Sequence, residues 1–498
     1  MKITGADILH VRLAAYPRKG KKRLPLPSED QSVMVQLHAT TEDGRSLTGL
    51  GEIRALQGLT GESPKAAYAN ARRLSIALTG AELDETLTGR AATAVTAALV
   101  TGVERDRRGI AQDRALPHGL SPAVRYGLDL ALLDLLARAQ DRSLLDLLGG
   151  TAEPVTRNIF PIALRNPGEV VNRLLRAEHP QGWLRGRLSR RGTALTAFLS
   201  AVAAGTMSGG DALRGVWVDL GGSWRGEDFD TFLASTADNA MLKMRGLETI
   251  LEQPFPDHAS AWYRAAFEAI AQHDGAKVRI MLKDAAVTPE TLAQVAEYLP
   301  HVDLKITPQR CGSVEGVFAL LDAARGHGFK GSVYLANAGR NTAFNSVMLA
   351  TLARMIPEVG YFSAIPVVSG SIRQVMPQLD PVEDAEAPSF TLPEGPGWGT
   401  ALCHSILTRR LLRARFLRDD ADGEPVDRAA ALEALRDLAY DDADAPEQED
   451  MSAEDLEADA DAEDQDAAQD HDSDHDDEDD HVAGGDEEET APTRPAGA

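Results

Sequence analysis

Beyond Thr151 the chain repeats one unit, a short apolar run followed by a helix-like stretch of roughly 15–25 residues. The runs are Asn158-Ile-Phe-Pro-Ile-Ala-Leu, Val216-Trp-Val-Asp-Leu, Thr249-Ile-Leu-Glu, Val278-Arg-Ile-Met-Leu-Lys, Val302-Asp-Leu-Lys-Ile and Ser332-Val-Tyr-Leu. Strand-then-helix alternation sustained over about 250 residues predicts a (β/α) barrel, which places its chemistry where strands end and loops begin. Polar residues at those strand ends are therefore the candidates for function.

The segment before the barrel reads differently. Gln31-Ser-Val-Met-Val-Gln-Leu-His alternates polar and apolar with period two, and Glu42-Asp-Gly-Arg is a hairpin-type turn, so a short antiparallel sheet is expected. From Ser63-Pro64 the period becomes helical, and Ser121-Pro122 opens a second strongly helical run in which Val124, Leu128, Ala131, Leu132 and Leu135 form one apolar stripe. Gly149-Gly150 stops that run. The expected fold class is thus α/β: an α+β domain over residues 1–150, a (β/α) barrel over 151–418, and a tail over 419–498. The tail holds 33 Asp and Glu against 3 Arg, and the preceding residues hold 48 basic and 43 acidic side chains. The acidic pI therefore describes the tail alone. It has too little apolar surface to offset its chain entropy, so disorder is expected beyond one helix near Asp427 to Ala439.

Two cysteines far apart, Cys311 and Cys403, make neither a disulfide framework nor a cysteine-rich zinc site. No stretch reaches the ~18 apolar residues of a membrane span, and the first residues lack the apolar core of a signal peptide, so the expected location is the cytoplasm. Isolated basic clusters, Arg18 to Arg23 and Arg185 to Arg191, do not amount to the continuous basic face of a nucleic-acid binder.

Three consecutive strands end in charge: Asp219, then Glu252, then Lys283-Asp284. Carboxylates at successive strand ends converge on the barrel mouth, and grouped oxygen ligands suit Mg²⁺. The following strand ends in Asp303-Leu-Lys305, which brings an amine to the same place. Burial and neighbouring positive charge lower a lysine's pKa, as a general base near neutrality requires. Adjacent strand residues face opposite sides, so only one of Lys283 and Asp284 can point inward.

These residues carry a resemblance. Gly49-Leu-Gly-Glu-Ile, Ala131-Leu-Leu-Asp-Leu leading to Leu147-Leu-Gly-Gly, Asp219, Glu252-Gln-Pro-Phe-Pro and Lys305 resemble the enolase superfamily, whose members join a capping domain to a barrel. Within it, Ala123-Val-Arg-Tyr-Gly-Leu-Asp-Leu-Ala-Leu-Leu-Asp, Phe160-Pro-Ile-Ala-Leu-Arg-Asn, Leu304-Lys-Ile-Thr-Pro-Gln-Arg-Cys-Gly-Ser and Gly331-Ser-Val-Tyr-Leu-Ala-Asn are similar to methylaspartate ammonia-lyase. The resemblance implies that Lys305 removes the proton next to a carboxylate and that Asp219, Glu252 and Asp284 hold a Mg²⁺ which stabilises the enediolate. Arg187 and Lys283 would bind an anionic substrate, best matched by a small amino dicarboxylate, and the chain would form a homo-oligomer.

Four positions depart from that pattern. The family's second acid/base falls on Ile162, its Thr-Cys substrate pair falls on Ala338-Gly339, and its third metal carboxylate falls on Lys283 unless a one-residue slip brings in Asp284. An ammonium at 283 would supply part of a dication's charge compensation to Asp219 and Glu252. Two readings follow: a divergent lyase, and a catalytically silent relative that binds or scaffolds through its acidic tail.

Overall fold

In the computed structural model the described residues are 1–418 apart from 16–30, 108–120, 162–181, 206–212, 363–367, 370–388, 400–410 and stretches of one to four residues elsewhere, residue 284 among them. The tail from 419, the helix expected near 427–439, Ile162, Asp284 and Cys403 all lie outside the described residues. The described residues belong to one compact unit, Met1–Ala445.

The N-terminal sheet is antiparallel. β1 (Lys2–Arg12) pairs with β2 (Gln31–Thr40), which pairs in turn with β3 (Ser46–Ile53) through the hairpin expected at Glu42-Asp-Gly-Arg. Gly44 takes φ +85 there, a left-handed turn conformation in which a side chain would be strained. The fourth strand of this sheet is Leu411–Arg418, paired with the other edge of β1. Sequence alone assigned that segment to the barrel; it returns instead to the first domain.

Of three helices, α1 (Pro64–Leu78) and α3 (Pro122–Ala139) lie against the sheet, and α2 (Gly89–Arg107) packs on them. Helix α3 is almost wholly buried, and the Gly49-Leu-Gly-Glu stretch of β3 explains how closely it approaches the sheet. A Cβ on Gly51 would lie 2.0 Å from the Gly127 carbonyl oxygen, and one on Gly49 would lie 2.2 Å from that of Ala131. The two glycines let helix and strand touch backbone to backbone. Asp134 of α3 then accepts from the backbone N–H groups of Leu50 and Trp398, so the segment Gly395-Pro-Gly-Trp-Gly is clamped to the same place.

The second sheet contains β4 (Ile159–Pro161), β5 (Gly182–Arg187), β6 (Leu213–Asp219), β7 (Glu248–Glu252), β8 (Val278–Leu282), β9 (Val302–Ile306), β10 (Val333–Leu335) and β11 (Val359–Tyr361). All eight are parallel and lie in sequence order, the curled sheet of a (β/α) barrel. Two of its strands, β5 and β11, are absent from the apolar runs read in the sequence. The barrel interior is a core of its own, formed by Ile159, Trp183, Trp217, Ile250, Met281, Tyr334, Ala336 and Tyr361. Trp217 is edge-on to both Tyr334 and Tyr361, and Trp183 to Tyr361. Below this aromatic plug, Asp303 accepts from Arg279, from the Tyr361 hydroxyl and from the Ser332 backbone. The interior is therefore closed at one end, and the polar chemistry is left to the other.

Among the described residues no helix is long and apolar enough to cross a membrane.

Candidate functional site

Period-two alternation decides what enters the barrel. Trp217 and Asp219 share one face of β6, Ile250 and Glu252 share one of β7, and Asp303 and Lys305 share one of β9. The registers bring Arg187, Asp219 and Glu252 level on β5, β6 and β7. Arg185 sits one dyad lower, opposite Trp217. Met281 is inside the barrel, and Lys283 lies two residues on, so it too turns inward.

Glu252 is the centre of the group and is completely buried. Its Oε2 accepts from Arg185 Nη2 at 2.7 Å, Arg185 Nε at 3.1 Å and Trp217 Nε1 at 2.9 Å. Its Oε1 accepts from Lys305 Nζ at 2.5 Å. Three donors thus crowd Oε2 and an ammonium holds Oε1, so the carboxylate is heavily engaged. The guanidinium of Arg185 is held over the rings of Trp217 and Tyr334, at 5.2 and 5.6 Å from their centroids. From there its Nη2 also approaches Asp219 Oδ2 at 3.5 Å.

Asp219 is less committed. Its Oδ1 accepts from the Gly221 backbone at 3.1 Å, and its Oδ2 lies 4.0 Å from Lys283 Nζ. The expectation that Lys283 would sit between the two carboxylates is met only on the Asp219 side; on Glu252 the cations are Arg185 and Lys305. The backbone of Lys283 is fixed by Gln253, whose side-chain oxygen accepts from Lys283 N at 2.9 Å. Gln253 itself has φ +47, and its amide donates to Phe255 O and meets Tyr263 Oη, which hold that conformation in place.

Charge explains the titration of the group. Burial would raise the pKa of Glu252, but Lys305 and then Arg185 outweigh it and bring it down to about 2. Asp219 is pushed up, first by burial and next by Glu252, against the pull of Lys283, Lys305 and Arg185. Lys305 is pushed down by burial; Glu252 opposes this, while Arg185 and Lys283 add to it.

The mouth borders the N-terminal domain. Glu52, carried in by the close approach of β3 to α3, accepts from Ser32, from Thr342 and from Asn345 at 2.6, 2.6 and 2.8 Å. Gln309, four residues past Lys305, donates to Asn337 and Asn345. Ala338 is buried, and Gly339 has φ +80 with Arg54 so near that a Cβ would lie 3.0 Å from its Nη2. Arg54 thus reaches the loop where the family's Thr-Cys pair would stand.

Comparison with solved structures gives the fold. The dipeptide epimerase from Cytophaga hutchinsonii, complexed with Mg and the dipeptide D-Ala-L-Val, superposes with a TM-score of 0.61 over 84% of this chain and 100% of its own, at 13% identity. Muconate cycloisomerase from Pseudomonas fluorescens gives 0.58 over 82% and 99%, at 14% identity. The chain shares the fold of these structures, an antiparallel N-terminal sheet followed by a parallel (β/α) barrel. Muconate lactonizing enzyme from Pseudomonas putida matches similarly, with a TM-score of 0.59 over 82% of this chain and 100% of its own, at 15% identity. No family model and no curated protein matches the chain.

On this fold the residues present do not suit Mg²⁺. Of Asp219, Glu252 and Asp284, the structure brings the first two together, and the third lies outside the described residues. Among the described residues no three His, Cys, Asp or Glu side chains are grouped to hold a metal. Glu252 already accepts from Arg185, Trp217 and Lys305, and three cations surround the two carboxylates. A dication would have to displace Arg185 and then face Lys305 and Lys283.

Arg187, favoured from sequence over its neighbour, is exposed at the rim of the mouth. Arg185 is the arginine at the centre, and Trp217 is a donor that sequence reasoning did not single out. The alternation Trp183, Arg185, Arg187 was the available signal, since one face of a strand carries all three.

Proposed function

We propose that the barrel mouth binds a small dicarboxylate without a metal ion. The observation that carries this reading is the charge count among the described residues: Arg185, Lys283 and Lys305 gather around Asp219 and Glu252, with Arg187 at the rim. A site with excess positive charge and low-dielectric walls attracts anions. Lys283 has its ammonium 4.0 Å from Asp219, and its side chain keeps 22% of its surface, so it and Arg187 are the groups with capacity for a ligand. Arginine pairs a carboxylate through two parallel hydrogen bonds, which orients it as well as attracting it. Arg185 and Lys305 belong to the internal network and supply field rather than direct contacts.

A second reading is favoured by the lowered pKa of Lys305 and by the enolase-superfamily fold. In it, Lys305 exchanges a proton at the carbon beside a bound carboxylate, leaving Glu252 to Arg185. Loss of ammonia from an amino dicarboxylate, as in methylaspartate ammonia-lyase, is the narrower form of that chemistry. Assembly as a homo-oligomer belongs to the same proposal.

Calorimetric titration with succinate and with aspartate, in the presence of a chelator, tests the first reading. Binding is expected, weakened about tenfold or more by Lys283→Met or Arg187→Met, in line with loss of a charge-assisted pair. Absence of heat for either ligand, at concentrations up to the solubility of the protein complex, would refute it. The second reading is tested by nuclear magnetic resonance in deuterated water. Exchange at the carbon beside the carboxylate, lost in Lys305→Met, is its expected signature.

A further inference from the structure

We infer that Arg185 is a built-in cation occupying the place of a divalent metal, so that the site excludes metal by construction and opens only when Arg185 is removed. The inference concerns what neutralises Asp219 and Glu252, and it holds whichever ligand the mouth takes.

Asp219 and Glu252 are level on neighbouring strands, which is how two carboxylates would share one cation. The group found between them is the Arg185 guanidinium, with Nη2 at 2.7 Å from Glu252 Oε2 and 3.5 Å from Asp219 Oδ2. It arrives from β5, one dyad deeper in the barrel, and it lies over the Trp217 and Tyr334 rings. Both rings are buried, so the guanidinium rests on a rigid floor.

Charge and geometry then distinguish it from an incidental ion pair. A guanidinium presents a flat fork of donors and cannot lose its proton, whereas Mg²⁺ needs near-octahedral oxygen ligands at short range. Arg185 takes one Glu252 oxygen through two nitrogens, while Trp217 takes the same oxygen and Lys305 the other. Glu252 Oε2 is thereby spent on donors that belong to the chain, and the ammonium on Oε1 opposes a second cation there. Lys283, on the third strand end, adds positive charge where a third carboxylate would complete a metal site. The two features reinforce each other: one fills the position and the other repels a replacement.

Manganese is the probe, because its binding can be followed by electron paramagnetic resonance. In the full-length native protein, Mn²⁺ up to about 10 mM should show no binding that Glu252→Gln removes, loose binding by the acidic tail being common to both. Arg185→Met combined with Lys283→Asp vacates the position and restores a carboxylate, and it should bind Mn²⁺ at least about tenfold more tightly than the native chain. Its thermal midpoint should also rise on adding Mn²⁺ while that of the native protein does not. A double variant that folds only when Mn²⁺ is supplied gives the same support, and Arg185→Lys, which keeps the charge, should stay silent to the metal. Native binding that disappears in Glu252→Gln would overturn the inference. So would a folded double variant that ignores the metal. Should the double variant fold under no condition, Lys283→Asp alone decides: with Arg185 in place it should remain silent, and tight binding by it would show that Arg185 does not hold the position.

Discussion

Glu252 at the barrel mouth and Glu52 beneath the N-terminal sheet are both fully buried, yet their acidities move in opposite directions. Glu252 is brought down to about 2 because Lys305 and Arg185 bond it directly. Glu52 is pushed up because burial dominates; its direct donors, Ser32, Thr342 and Asn345, are neutral, and the charge of Arg54 only partly offsets burial. Asp129 of α3 behaves like Glu52. Thr96 and the Val314 backbone donate to it, and burial carries it up to about 7. Partner charge, rather than depth, separates the two regions. The N-terminal domain uses buried carboxyls as hydrogen-bond hubs that join elements, whereas the barrel mouth uses them as counter-ions.

The largest expected effect comes from making the two glutamates alike. Glu252→Gln strips Arg185 and Lys305 of their counter-charge, and removing one partner of a buried ion network costs roughly 3–5 kcal/mol. Urea unfolding should show that loss, and a loss below about 1 kcal/mol would mean that the network is solvated and the contrast false.

An intermediate effect is expected in the pH dependence. Asp129 binds its proton more tightly folded than unfolded, with a folded pKa of about 7 against an ordinary 3.8. Its contribution is therefore complete below about pH 4 and declines as pH rises through 7. Asp129→Asn should flatten the fall in unfolding free energy between those limits. It should not abolish it, since Glu62 is also raised to about 7 by burial. A slope unchanged from the native protein would place Asp129 in contact with water.

The smallest effect is expected at Glu52. Glu52→Gln keeps the shape, and its new amide can donate to the hydroxyl of Ser32 or Thr342, so the cost should be about 1 kcal/mol. A cost equal to that of Glu252→Gln would erase the distinction drawn here.

Much of this arrangement was legible in the sequence. Strand-end placement brought Asp219, Glu252, Lys283 and Lys305 to one mouth because the barrel period repeats in step with the apolar runs. Gly49-Leu-Gly-Glu was legible as a motif, although its reason, backbone contact between β3 and α3, needed coordinates. Arg185 was misjudged because Gly182–Arg187 has the composition of a basic surface cluster, and a charge inside a barrel contradicts the pattern by which strands are recognised. Val359–Tyr361 is three residues long, too short for a period to show. The pairing of Leu411–Arg418 with β1 joins opposite ends of the described chain, a relation that no local pattern encodes.

The central claim is that the chain's own cations, not a metal, neutralise Asp219 and Glu252. A crystal structure of the native protein grown in about 10 mM MnCl₂, with the manganese located by its anomalous scattering, tests it most directly. The account predicts no manganese between the two carboxylates and the Arg185 guanidinium hydrogen-bonded to Glu252. An ion about 2.2 Å from an oxygen of each carboxylate, with Arg185 swung away, would contradict it.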